Sequence, residues 1–88
     1  ELDTPEQQYL YEYERYKGLL QLYNMVIPDG KPPAKYSWTK KSLANSEAAY
    51  KKAHSLAQKQ DFTQALVEMD QAAKDLTKML RMLGLPIS

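Results

Sequence analysis

The sequence predicts an all-α domain, a small three-helix bundle made of an antiparallel helical hairpin and an N-terminal tyrosine-rich helix. Three observations carry that expectation. Apolar residues recur at helical spacing over three long segments. A helix-start signature precedes the first and the third of them. A proline-rich stretch parts the first segment from the second, and glycine then proline close the third.

The first helix is expected over residues 4–27. Thr4 can cap it, Pro5 suits the first helical position, and Gln7 stands three residues after the cap to close a capping box. Tyr9, Tyr11 and Tyr13 alternate as a strand would, but Tyr9, Tyr13, Tyr16, Leu20, Tyr23 and Ile27 fall within about 40° of one helical line. A strand of that length would be far outside the normal range, so the helical period decides. Pro28, Asp29 and Gly30 end the helix, and residues 28–37, with three prolines, form a loop.

The second helix is expected over 38–60, with an inward arc of Leu43, Ala49, Tyr50, Ala53, Leu56 and Ala57, and Trp38 at its start. The third spans 61–83. Asp61 caps it with Gln64 three residues on, and Phe62, Ala65, Leu66, Met69, Ala72, Ala73, Leu76, Leu80 and Leu83 form one stripe. Thr63, Gln64, Glu68, Asp70, Gln71, Lys74, Asp75 and Lys78 fill the opposite, solvated face. Gly84 and Pro86 supply the stop.

Eighty-eight residues suit one domain with a thin core. The absence of cysteine removes disulfides, thiol nucleophiles and thiolate metal sites. No apolar run reaches the roughly 18 residues of a membrane span. Position 1 is Glu, so the chain is either a processed mature protein or a fragment, and a removed export signal favours a periplasmic or secreted location over a cytoplasmic one. Charge is unevenly spread: residues 1–30 hold six acids against two bases, and the rest ten bases against five acids. Such a chain can draw its own halves together or offer a basic face to a partner.

Residues 47–80 resemble a single tetratricopeptide repeat, the helix hairpin of protein-binding scaffolds. The resemblance rests on Ala53, Leu56, the turn Gln60, Asp61 and Phe62, then Ala65, Leu66, Met69 and Ala72. Ala49, Ala53 and Thr77 depart from the aromatic, glycine and proline usual at those places in the family. The resemblance implies a non-enzymatic role in protein binding. Repeats of this kind need neighbours to cover their faces, and here the tyrosine helix is the cover available.

Leu10, Tyr11, Leu22 and Met25 lie between about 100° and 220° from Tyr9, away from the main stripe of the first helix. A helix apolar on two sides is sandwiched or uses one side for a partner. This second side is the expected partner-binding surface, for another protein or a second copy, with Val67 and Met82 of the third helix extending it. The alternative is an anion or nucleic-acid site in the loop, where Lys31, Lys35, Lys40 and Lys41 surround Tyr36 and Trp38. The stretch has no arginine and no groove-reading motif, which counts against nucleic acid.

A haem or metal bundle is a third and weaker reading. His54, the one histidine, and a methionine among Met25, Met69, Met79 and Met82 are the right residue types for axial ligation, but no attachment motif accompanies them. Without a glycine-rich phosphate loop, a second histidine or carboxylates flanking a cleft, no catalytic residue and no cofactor is expected.

Overall fold

A computed structural model describes residues 3–87, so Glu1, counted among the N-terminal acids, lies outside the described residues. Three helices follow in order: α1 (Pro5–Val26), α2 (Thr39–Gln58) and α3 (Phe62–Met82), with short 3₁₀ turns at Pro28–Gly30 and Ala34–Tyr36. The all-α expectation holds, and each helix lies within two residues of its predicted bounds. None of the helices among the described residues is long and apolar enough to cross a membrane.

The ends follow local chemistry. Oγ1 of Thr4 accepts from the Gln7 amide at 3.2 Å, and Gln7 Oε1 accepts from the Asp3 amide at 3.1 Å. The box thus closes one residue earlier than drawn from the sequence, on Asp3 rather than on Thr4 itself. Oδ1 of Asp61 caps α3 by accepting from the Gln64 amide at 3.3 Å.

The C-terminal ends of α2 and α3 share one design. Asp61 N–H reaches back to the Leu56 carbonyl and Gln60 N–H to that of Ala57, while Leu85 N–H reaches Leu80 and Gly84 N–H reaches Arg81. Both are paired closures of orphan carbonyls around a left-handed residue. In α3 that residue is Gly84 at φ 94°; in α2 it is Gln60 at φ 63°.

The core is organised around α3, which packs against both other helices. Of the buried hydrophobic residues, α3 contributes Ala65, Met69, Ala72, Ala73, Leu76, Met79 and Leu80. Its three alanines let α1 and α2 approach on adjacent sides. Between α1 and α2 the contact is aromatic: Tyr50 stacks on Tyr16 at 4.9 Å between ring centroids and on Tyr13 at 6.1 Å. Tyr9 stacks on Tyr13 and tilts against Phe62. Offset ring pairs of this kind add about 0.5–1.5 kcal/mol each beyond area burial.

Two predicted faces are rotated. Leu19 is buried on α1 whereas Leu20 is only half-buried, because α1 turns toward α3. On α2 the residues most deeply buried are Thr39, Ser46 and Ala53, seven apart, and the larger Leu43, Tyr50 and Leu56 flank them half-buried. Hydroxyls can occupy that line because each has a partner: Ser46 Oγ donates to the Ala72 carbonyl at 2.9 Å and Thr39 Oγ1 to the Tyr36 carbonyl at 2.7 Å. Two acids of α1 pair within their own helix, Glu12 with Arg15 at 3.1 Å and Glu14 with Lys17 at 3.2 Å, rather than with the lysines opening α2.

Candidate functional site

The clearest candidate is a groove of about 460 Å³ between α1 and α3, lined by Gln8, Tyr11, Glu12, Leu66, Val67 and Asp70. Tyr11 and Val67 are each 56% exposed. The wheel explains why they meet: Tyr11 lies on the edge of α1 that turns toward α3, and Val67 on the edge of α3 that turns toward α1. One wall is therefore supplied by each helix, and Leu66 continues the apolar surface inward.

The floor is polar. Arg15 donates to Glu12 at 3.1 Å and to Thr77 Oγ1 at 3.3 Å, which in turn donates to the Ala73 carbonyl at 2.8 Å. The Glu12 and Asp70 carboxyls both line the groove and influence one another's ionisation, and Lys74 Nζ sits 2.9 Å from Asp70. Burial raises the Glu12 pKa above the usual carboxylate range, Asp70 beside it adding to the rise and Arg15 opposing it. Asp70 is shifted too: burial pushes up, but the hydrogen bonds from Lys74 and Glu12 outweigh it and hold the group below its ordinary value. The solvated face foreseen for Glu68 and Asp70 is corrected accordingly, since Asp70, half-buried, lines the groove and Glu68, also half-buried, pairs with Lys52 at 3.5 Å. Asp70 lies between Leu66 and Thr77 on the α1 side of α3, a position visible only once the two helices are placed.

The six residues expected to form one partner-binding surface do not share one. Tyr11 and Val67 come together in the groove. Leu10, Met25 and Met82 are exposed as expected, but Met82 lines a different groove, between α2 and α3 with Trp38, Asn45 and Lys78. Leu22 is half-buried against the core rather than open. Val26, unforeseen, is exposed beside Met25. Sequence alone places residues around each helix axis; which neighbour stands opposite each edge is a tertiary property.

The lysine loop keeps its charges but not its free rings. Lys31, Lys35, Lys40 and Lys41 are exposed, while Tyr36 and Trp38 are half-buried against the core, with Lys35 Nζ 5.6 Å from the Tyr36 centroid. Part of each ring is therefore covered by the core and part stays open. His54 is exposed and stacked on Tyr50 at 6.2 Å, and Met69 and Met79 are buried. Among the described residues no group of three or more His, Cys, Asp or Glu is arranged to hold a metal ion.

A third groove, about 360 Å³, runs between α1 and α2 past Tyr16, Leu20, Leu43 and Tyr50. The Tyr16 hydroxyl is buried without a hydrogen-bond partner at proper geometry. Burial raises its pKa and Ser46 nearby offsets part of that. Burial likewise raises the phenols of Tyr9 and Tyr50, so none of the three moves toward ionisation near neutral pH.

Compared with family models, curated proteins and solved structures, the chain matches none.

Proposed function

We propose that this chain is a non-enzymatic protein-binding module whose α1/α3 groove receives an apolar helix edge, from a partner protein or from a second copy. One observation carries the reading: Tyr11 and Val67, each more than half exposed, stand on different helices and converge on one groove with Leu66. Exposed aromatic and aliphatic side chains that converge are what interface centres use. The α2–α3 hairpin, tetratricopeptide-like in its small and large residues, serves as the frame that holds Val67 opposite Tyr11.

Two measurements test this together. Sedimentation equilibrium over a wide concentration range, with Tyr11→Glu as companion, reads self-association. A photo-reactive residue placed at Val67 in the producing cells reads capture of another protein, with the same residue at Gln71 as control. Association or a Val67-specific adduct, lost in Tyr11→Glu, supports the groove. A monomer at every concentration with no adduct at Val67 overturns it.

The anion-binding alternative, through Lys31, Lys35, Tyr36, Trp38, Lys40 and Lys41, is less favoured because both rings are partly covered by the core. Absence of retention on a heparin column removes it altogether.

A further inference from the structure

The outward side of α2 carries a charge pattern that the groove does not use. Thr39, Ser46 and Ala53 mark the inward line, and Lys40, Lys41, Lys51, Lys52 and Lys59 all project, exposed, from the other side. They form two rows. Lys40 and Lys51 are eleven residues apart, as are Lys41 and Lys52, with Lys59 a further seven along the second row. Eleven residues are about three turns, or about 16.5 Å, so each row stays in line along the axis.

Between the rows lie Ala44, Ala48 and Ser55, also exposed, so nothing bulky stands between the lysines. Glu47 is the one acid of α2, and of the five lysines Lys52 alone has an ion pair among the described residues, at 3.5 Å to Glu68. Residues 31–59 as a whole hold seven lysines against that one acid.

We infer that this face docks an acidic helix of a protein partner, lying along α2 with its carboxylates on the two lysine rows and its own small side chains over Ala44 and Ala48. Charge complementarity selects the sign of the occupant, and the shape of the face selects its class. Lysines can hold nucleic-acid phosphates by charge alone, but this face carries no arginine fork and no ring to stack on bases, so it lacks what would fix a strand in one register. An anionic membrane surface is held by lysines together with large apolar residues that insert, and those are missing too. A helix needs a smooth line that lets the axes come within about 8–10 Å, with opposite charges on both flanks, and this face offers both. The site is separate from the α1/α3 groove, so the two proposals stand or fall independently.

The test uses the full chain, isotopically labelled, titrated at low salt with an alanine-based helical peptide of about 22 residues bearing glutamates in two rows at three-turn spacing. Amide shifts along residues 40–59 are the expected result. Lys40→Glu with Lys41→Glu should weaken binding about tenfold without lowering the melting temperature, since neither lysine has an ion pair among the described residues and acids suit the first turn of a helix. A lysine-bearing version of the peptide should produce no shifts with the parent. The inference is overturned by no shift at millimolar peptide, by shifts centred on Tyr11 and Val67, or by tighter binding of a single-stranded or duplex oligonucleotide at equal salt.

Discussion

The Tyr23 hydroxyl lies 3.1 Å from Oγ1 of Thr39, joining the last turn of α1 to the first residue of α2 in a buried hydrogen bond. Because Thr39 gives its own hydrogen to the Tyr36 carbonyl at 2.7 Å, Tyr23 is the donor. The chain between the two helices is thereby closed by side chains at both of its ends. Tyr23→Phe should lower stability by about 1 kcal/mol, and Thr39→Val by about 2 kcal/mol because it strands the phenol and the carbonyl together. Urea unfolding with an unchanged m-value reads both, and equal losses would show that the Tyr36 bond adds nothing.

Tyr16 presents the opposite case. It is 2% exposed, its ring stacks on Tyr50, and its hydroxyl has no partner. Tyr16→Phe removes an unsatisfied oxygen and keeps the ring. It should leave stability unchanged or raise it by up to about 1 kcal/mol. A loss of about 1 kcal/mol or more, the worth of one typical hydrogen bond, would mean that Ser46 receives that hydrogen after all.

Glu12 and Asp70 give the pH profile two slopes of opposite sign. Glu12 holds its proton more readily in the fold than in the unfolded chain, so from its ordinary value of 4.5 upward the native state binds more protons and this group's contribution falls as pH rises. Asp70 is lowered, so its contribution is present above its ordinary value of 3.8 and is lost as pH falls through the folded one. Glu12→Gln can still accept from Arg15 and can donate to Asp70. It should flatten the decline above pH 4.5 and match or exceed the parent near neutrality. Unfolding free energies measured from acid to neutral pH read this, and a decline that persists in the variant would place its origin elsewhere.

Gln60 sits at φ 63° where Gly84 serves the equivalent closure of α3. A side chain in the left-handed region costs roughly 1 kcal/mol, partly offset by the extra freedom glycine has when unfolded. Gln60→Gly should therefore stabilise by about 0.5 kcal/mol, while Gln60→Ala should not. Thermal melts of the two variants side by side distinguish the backbone effect from loss of the glutamine side chain.

Much of the fold was legible because it is written locally. Thr4 and Pro5, Asp61 with Gln64, and Gly84 with Pro86 each mark a boundary through their own backbone chemistry, and the α3 stripe names nearly its whole core. Met79 and Thr77 were missed there because α3 is covered on two adjacent sides and its buried arc is wider than one stripe. Ser46 and Thr39 were missed because a hydroxyl reads as surface until its acceptor is seen. The site was half legible: Tyr11 and Val67 were identified as outward apolar residues, but Met82 was joined to them and Asp70 left out. An azimuth around one helix says nothing about which helix stands opposite.

The central position of α3 also has a consequence in time. Among the described residues, seven of the thirteen buried hydrophobic side chains belong to α3, which is made after α1 and α2. A nascent chain that has reached only residue 60 holds two helical segments joined by a few stacked rings, and short helices without a packed face are marginal in water. The tyrosine face of α1 must wait, uncovered, until α3 arrives across a separation of more than forty residues. Assembly of the three helices then waits on α3 rather than progressing from α1, and α3 acts as the template on which the two earlier ones assemble.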